Sequence, residues 1–168
     1  SVENIIREKR KLIEALAPGK TAILHYDDPN VRDMAPFTQA EVVWYGLAPE
    51  CHYRAENVEA GPHGSAFRAV TPFGAFDIET PVLGRHNCVN LLVAIAIGLR
   101  EGIPIAAIQS TLRHLAPLKG RTSVEDGPLG TILINDALRA NTASVIAGLE
   151  YLAGFQTGKK RVAVLGEM

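Results

Sequence analysis

The sequence is poor in cysteine and has no long hydrophobic run. Only two of its 168 residues are cysteines, Cys51 and Cys88, so a disulfide-stabilised secreted fold is excluded and free thiols in a reducing cytosol are expected. The longest apolar run, Leu91 to Leu99, is far shorter than the ~20 residues of a transmembrane helix. The first residues, SVENIIREKRKLIEAL, are charged and amphipathic, which is not typical of a signal peptide. We therefore expect a cytoplasmic protein with no membrane partner.

The chain also lacks an excess of charge of one sign. Its 17 Lys and Arg residues and 18 Asp and Glu residues give a net charge of -1 and are scattered along the sequence. A basic surface for nucleic acid is therefore not expected. With 47% hydrophobic and 21% charged residues, the composition is that of a globular protein with one domain or two small ones.

The first part of the chain alternates between helix and strand patterns. Helical spacing of apolar residues from Val2 to Leu16 ends at Pro18-Gly19. Thr21 to Tyr26 is typical of a buried strand, Val31 to Ala35 of a short capped helix, and Glu41 to Tyr45 of a second strand. This strand–helix–strand order predicts a parallel sheet.

The middle of the chain predicts a different architecture. Between His52 and Val82, short alternating runs separated by Gly and Pro predict a small antiparallel meander. His86 to Glu101 is apolar almost all round, which predicts a buried helix, and a second helix should begin near Pro104. Ala116 to Gly120 is the best candidate linker.

The last part of the chain predicts the start of another α/β unit. Arg121 to Glu125 and Thr131 to Asn135 are expected to form a hairpin. A helix over 142–153 and a strand over 161–165 would follow. The predicted class is thus α/β, with one unit over 1–118 and the start of a Rossmann-like unit over 119–168. Since no Met begins the sequence and the RVAVLGEM strand stops abruptly, we expect a fragment.

Gly19-Lys20-Thr21 looks like the end of a phosphate-binding P-loop. A P-loop needs a second Gly five residues before this one, but Glu14 is there, inside the predicted helix. A P-loop also follows a strand and opens a helix, whereas this tripeptide follows a helix and opens a strand. We interpret it as a helix stop.

The stretch GRHNCVN, Gly84 to Asn90, opens the buried helix. His86 and Asn90 are four residues apart and Asn87 and Asn90 three, so they share a face of the first turn. Carboxamides donate and accept hydrogen bonds, as the edge of adenine requires. The alternative is that Asn87 caps the helix and Asn90 bonds nearby backbone.

Two further stretches place polar residues where α/β sheets bind ligands. Arg121 follows the linker, and Asp136 ends a predicted strand, where a carboxylate can accept from ribose hydroxyls. Asn141 and Ser144 lie at the start of the next helix. The alternatives are a solvated charge for Arg121 and helix capping for Asp136.

Taken in order, these motifs resemble the Mur ligases, the ATP-dependent enzymes that add amino acids to the peptidoglycan precursor. The matching patterns are Gly-x-His-Asn-x-x-Asn before an apolar helix, Gly-Arg, Asn-Asp-x-x-x-Ala-Asn-x-x-Ser, and Val-Leu-Gly-Glu-Met. The first residues and Asp-Asp-Pro are similar to the second half of the family's central domain, so 1–118 would be that half and 119–168 the start of the C-terminal domain. The Ala-Asn-x-x-Ser and Gly-x-Met patterns are most similar to the branch that adds D-alanyl-D-alanine.

The resemblance implies roles for individual residues. It implies that Asn87 and Asn90 hold adenine, that Arg121 reaches the phosphates and that Asp136 holds the ribose, with His86, Asn141 and Ser144 as additional candidates. It also implies a carbamylated lysine that binds Mg²⁺, because carbamylation converts an ammonium into a carboxylate. Lys9, expected at an inward position, matches best, and Lys11 is the other register; the alternative is that Lys9 is a surface lysine whose charged end reaches solvent.

The resemblance further implies ATP and Mg²⁺ as cofactors and a UDP-MurNAc-peptide and an amino acid or dipeptide as substrates. The expected protein is a cytoplasmic, monomeric ligase of cell-wall biogenesis, with roles in cell shape and cell division. It would form an acyl-phosphate, which the incoming amine then attacks. Because the family's P-loop has no counterpart here, the chain alone is expected to be inactive.

The sequence departs from the family pattern at a few positions. Leu138, Arg139 and Thr142 stand where the D-alanyl-D-alanine branch has Tyr, Asn and Pro, and His25 stands where an Asn precedes Asp-Asp-Pro. Two alternatives therefore stay open. One is another ligase of the same fold, similar to cyanophycin synthetase or folylpolyglutamate synthase. The other is a non-catalytic nucleotide-binding or scaffold module.

Overall fold

The computed structural model describes residues 1–138 and 140–166 as a mixed α/β structure. The elements in chain order are α1 (Val2–Glu14), β1 (Thr21–His25), α2 (Pro29–Arg32), β2 (Glu41–Gly46), β3 (Tyr53–Gly61), β4 (Gly64–Thr71), β5 (Gly74–Thr80), α3 (Arg85–Arg100), α4 (Ile105–Arg113), β6 (Ser123–Asp126), β7 (Ile132–Asn135) and α5 (Thr142–Gly154). The predicted α/β class is confirmed.

The first five strands form one sheet in the order β1-β2-β3-β4-β5. β1 and β2 are parallel, with Thr21 opposite Glu41, as the strand–helix–strand pattern predicts. β3, β4 and β5 are antiparallel neighbours, which confirms the meander, and a short parallel pairing of Tyr45 with Tyr53 joins it to β2. A parallel sheet and a meander are therefore one sheet, with the carboxyl ends of β1 and β2 at the same edge.

Helix α3 covers this sheet, and the main core lies between them. Cys88, Leu92 and Ile95 on α3 are 0% exposed and pack with buried side chains of β2 to β5. The predicted burial of this helix is confirmed for the face that meets the strands, whereas Ile97 on the opposite face is 50% exposed. A helix on a sheet buries only the face that meets the strands.

The turn between α1 and β1 contains the Gly-Lys-Thr tripeptide. Gly19 has a φ of 79°, a left-handed conformation that glycine adopts without strain, and Lys20 donates its backbone N–H to the carbonyl of Ala17. Thr21 is already the first residue of β1. The interpretation of this tripeptide as a helix stop is confirmed.

The carboxyl-terminal part contains the predicted hairpin and helix. β6 and β7 are antiparallel, and α5 contributes Tyr151 and Phe155 to a second, smaller core that also contains Leu83. The predicted strand over 161–165 is not observed: these residues pair with no strand of the described chain, and Val164 is 93% exposed. A strand needs a hydrogen-bonding neighbour, and β7 pairs only with β6.

In the described ranges, no helix is both long enough and apolar enough to cross a membrane.

Candidate functional site

A cavity of about 490 Å³ lies where the carboxyl end of β1, the first turns of α3 and the inner face of α5 meet. Its polar lining includes His25, Arg85, His86, Asn90, Glu150 and Tyr151. The carboxyl end of a strand and the N-terminus of a helix meet here, which is where α/β proteins bind ligands. A wider depression of about 630 Å³ beside the β3–β4 turn contains none of the predicted site residues.

The start of α3 places two predicted residues differently. The Nδ2 of Asn87 donates to the carbonyl of Leu83 at 2.8 Å, and its side chain does not line the cavity. Asn90, one turn later, is exposed and lines the cavity, with only a long 3.5 Å contact from its Nδ2 to the Oδ1 of Asn87. Asn87 therefore fastens the beginning of the helix, and Asn90 is free to meet a ligand.

His86 lies beside Asn90 and is half-buried. Glycine at position 84 leaves room for the imidazole of His86, because a Cβ there would lie 2.8 Å from the Cε1 of the ring. Burial lowers the pKa of His86, and the nearby carboxylates of Asp136 and Glu150 oppose that shift. A neutral imidazole with one donor and one acceptor therefore faces the cavity.

Asp136 lies directly after β7 and holds the beginning of the hairpin. Its Oδ1 accepts the backbone N–H of Thr122 at 2.8 Å and the Thr122 hydroxyl at 3.2 Å. It does not cap α5, since Asn141 does so. Arg121, next to Thr122, has an exposed side chain. The structure thus brings Asp136 close to both Arg121 and His86, although they are far apart in the sequence.

The side chains of Asn141 and Ser144 serve the helix. The Oδ1 of Asn141 accepts the backbone N–H of Ser144 at 2.9 Å, and the Oγ of Ser144 accepts the backbone N–H of Asn141 at 3.0 Å. This reciprocal capping occupies both side chains. Their suggested ligand roles have no support from this geometry.

Lys9 is exposed rather than inward. It shares a face of α1 with Val2, Ile5 and Leu12, which are 64%, 61% and 70% exposed, because α1 turns a different face inward, where Arg10 lies over the ring of Phe37. Lys11 is also exposed and pairs with Glu8 at 2.8 Å. Throughout the described ranges, no group of three or more His, Cys, Asp or Glu residues is arranged to bind a metal ion.

His25, which has no interpretation at the sequence level, lines the cavity. Its ring stacks on Tyr45 with the centroids 5.0 Å apart, and its Nε2 lies 3.5 Å from the Oδ2 of Asp27. Asp27 in turn accepts the backbone N–H of Leu47 at 2.6 Å. The position of His25 at the carboxyl end of β1 is the sequence signal that would have identified it.

Glu150 and Tyr151, on α5, also line the cavity although the sequence does not indicate them. The Tyr151 hydroxyl donates to the carbonyl of Gly61 at 2.9 Å, and burial raises the pKa of Tyr151 to about 12. This bond joins α5 to the β3–β4 turn and closes one side of the cavity. Arg139 and the final Glu167-Met168, which carry part of the sequence patterns, lie outside the described residues.

Comparison with protein families gives one match: the Mur ligase middle domain model matches residues 1–98. Among curated relatives, the UDP-N-acetylmuramoyl-L-alanyl-D-glutamate–2,6-diaminopimelate ligase of Geobacillus thermodenitrificans is 35% identical over 119 residues, 70% of this chain and 24% of the relative. The UDP-N-acetylmuramoyl-tripeptide–D-alanyl-D-alanine ligase of Escherichia coli (strain K12) is 28% identical over 170 residues, which cover 100% of this chain and 37% of the relative.

Solved structures of similar proteins have the same fold. MurF from Acinetobacter baumannii superposes with a TM-score of 0.81 and 23% identity over 91% of this chain and 33% of that one. MurF ligase from Thermotoga maritima, solved in complex with ADP, has a TM-score of 0.75 and 15% identity over 91% of this chain and 35% of that one. The chain thus spans about a quarter to a little over a third of the length of the proteins that it matches.

Proposed function

The chain belongs to the Mur ligase family, and we propose that it is part of an ATP-dependent, ADP-forming ligase that adds D-alanyl-D-alanine to a UDP-MurNAc-peptide. The observation that carries this proposal is the cavity in which His86 and Asn90 of α3 face Glu150 and Tyr151 of α5. Its lining combines apolar surface from Leu47, Val89 and Ala147 with a few polar side chains, among them the charged Arg85 and Glu150, and such a lining suits a nucleotide.

The nucleotide would lie across the two parts of the chain. Asn90 and His86 would bind the adenine edge, and the exposed Arg121 would reach the phosphates. Asp136 would hold the ribose through Oδ2, since its Oδ1 is occupied by Thr122. Asn87 would contribute indirectly, by fixing the turn that carries Asn90. We also propose that 1–118 belongs to the central domain and 119–168 to the start of the C-terminal domain, because the proposed nucleotide contacts come from both parts.

The proposed reaction transfers the γ-phosphoryl group of ATP to a carboxylate of the UDP-MurNAc-peptide. The incoming amine then attacks the acyl carbon, forms the amide and releases inorganic phosphate. The task of this chain is to bind and orient the nucleotide. The γ-phosphate is then already positioned, and less orientational entropy is lost on reaching the transition state. We propose a monomeric enzyme acting in the cytoplasm, which agrees with the free thiols of Cys51 and Cys88.

Magnesium does not fit the described residues by themselves, since they include no cluster of ligands. We therefore assign no step to it. Lys9, if carbamylated, would contribute one carboxylate to a site whose other ligands lie beyond the described residues. Its exposed position leaves it accessible to carbon dioxide.

The amino-acid substrate has two candidates. The D-alanyl-D-alanine ligase of Escherichia coli aligns with the entire chain, and this supports the dipeptide. The diaminopimelate ligase of Geobacillus thermodenitrificans has a higher sequence identity to the chain, 35% against 28%, but aligns with only 70% of it. Diaminopimelate is therefore the second candidate. The folylpolyglutamate-synthase-like alternative is supported by likeness of fold alone, with a TM-score of 0.68 and 13% identity to the synthetase of Lactobacillus casei. The scaffold alternative has no comparable support.

Steady-state ADP release by the full-length ligase tests the proposal. Release should require both a UDP-MurNAc-tripeptide and D-alanyl-D-alanine, whereas diaminopimelate with a UDP-MurNAc-dipeptide supports the second candidate. Asn90→Ala should raise the KM for ATP about tenfold, as loss of one or two hydrogen bonds to a buried base predicts. Asn4→Ala, which changes an exposed asparagine of α1, is the matched control. No ADP release with any acceptor would contradict an enzyme and favour a scaffold module.

A further inference from the structure

Thr122 connects the hairpin to the candidate site and has an unusual backbone. It is 1% exposed, and its φ is 52°, in the left-handed region that β-branched residues rarely adopt. A backbone of this kind persists only where surrounding contacts hold it, and such positions cluster at functional sites. The residue directly before it is Arg121.

The contacts that hold Thr122 come from Asp136. One oxygen, Oδ1, accepts both the N–H and the hydroxyl of Thr122, at 2.8 and 3.2 Å. The other oxygen, Oδ2, faces α5 at Gly148, where an added Cβ would lie 3.3 Å away. The carboxylate therefore lies between the start of the hairpin and α5, and a side chain at position 148 would be in close contact with it.

The backbone on either side of Arg121 is also fixed. Gly120 donates its N–H to the Oγ of Ser123 at 3.1 Å and accepts the N–H of Leu138 at 3.1 Å. Arg121 donates its own N–H to the carbonyl of Leu118 at 3.1 Å. Its side chain is exposed, so the chain holds the Cα of Arg121 and leaves the guanidinium directed outward.

We propose that Thr122 is a positioning residue: its two bonds to Asp136, the Thr122–Asp136 clamp, orient the backbone of Arg121 so that the guanidinium meets the nucleotide phosphates. The inference rests on the proposed role of Arg121. It gives Asp136 a second task besides the ribose, and it adds a residue that no motif in the sequence indicates. A hydrogen bond to an ionised carboxylate is stronger than a neutral one, which suits a clamp.

Thr122→Val tests the clamp in the full-length ligase, because valine keeps the β-branched shape and loses only the hydroxyl. We expect kcat/KM for ATP to fall about tenfold, as loss of one charge-assisted bond predicts. Thr122→Ser keeps the hydroxyl and should retain kcat/KM within about twofold of the wild type. Equal losses in the two variants would overturn the proposal.

The same substitution in an Arg121→Ala background shows whether Thr122 acts through Arg121. If it does, Thr122→Val should lower kcat/KM for ATP by less than about twofold there, because residues that act as a unit are not additive. A full, additive tenfold loss would mean a general structural role and would contradict positioning.

Amide hydrogen exchange separates failure of the clamp from failure of the proposed function, because it needs no turnover. The Thr122 amide should exchange slowly in the wild type and rapidly in Asp136→Ala, measured on peptides that contain residues 119–123. If the Thr122 amide of the wild type exchanges slowly but the protein shows no ligase activity, only the proposed function is refuted. Rapid exchange in the wild type would refute the clamp, whatever the enzyme does.

Discussion

Asn87 and Asn90 are three residues apart on one helix, and the structure predicts opposite consequences for their loss. Asn87→Ala removes the Nδ2 donor that bonds the carbonyl of Leu83 at 2.8 Å, and Leu83 is only 5% exposed. Leaving a mostly buried carbonyl unpaired costs about 1–2 kcal/mol. Asn90 is exposed and holds only a 3.5 Å contact, so Asn90→Ala should change the free energy of unfolding by less than about 0.5 kcal/mol.

The measurement is the midpoint of thermal unfolding of each variant without nucleotide. For a protein of this size, 1 kcal/mol corresponds to about 2–4 °C, so Asn87→Ala should lower the midpoint by roughly 2–8 °C and Asn90→Ala by less than about 2 °C. The KM for ATP should show the reverse order, with the larger increase for Asn90→Ala. Equal losses of stability in the two variants would refute the assignment of Asn87 to the fold and of Asn90 to the ligand.

Three further predictions concern the core, the cavity and a buried thiol. Ile95→Ala should lower the free energy of unfolding by about 2–5 kcal/mol, because Ile95 is 0% exposed. Ile97→Ala, on the exposed face of α3, should lower it by less than about 1 kcal/mol. Similar denaturant midpoints for the two variants would contradict the packing of α3. Burial lowers the pKa of His86 below its ordinary value of 6.5, so on acidification the unfolded chain takes up this proton before the folded one does. The free energy of unfolding should therefore fall as the pH drops below about 6.5. His86→Gln should make the free energy of unfolding less dependent on pH in that range. Burial also raises the pKa of Cys51 to about 11, so its alkylation by iodoacetamide at pH 8 should be much slower in the folded than in the denatured chain, and equal rates would show that the thiol is accessible.

Much of the secondary structure follows from short-range patterns. The helical spacing that ends at Pro18-Gly19 predicts both α1 and the start of β1, and it excludes a P-loop because a phosphate-binding turn must open a helix. The alternating runs between His52 and Val82 predict the meander, because alternation places every second side chain on one face of a strand. These features depend on residues a few positions apart, which a sequence displays directly.

Patterns that depend on a partner are less well predicted. The strand expected over 161–165 has the composition of a strand, but no neighbour pairs with it in the described chain. Lys9 shows the same limit, because the apolar residues of α1 form a broad stripe and only packing decides which part of it is turned inward. Local propensity is overridden wherever tertiary contacts are the larger contribution to the free energy.

The sequence by itself determined the α/β class, the order of the elements and the small set of polar residues from which the candidate site is drawn. Only the tertiary structure divided that set, with Asn90 and His86 in the cavity, Asn87, Asn141 and Ser144 in hydrogen bonds that hold helix ends, and His25 added from β1. The bonds of Asp136 to Thr122 span 14 residues, and that of Tyr151 to Gly61 spans 90. Such contacts are set by how the sheet, hairpin and helices pack, and the geometry of that packing is not encoded in any local spacing of residues.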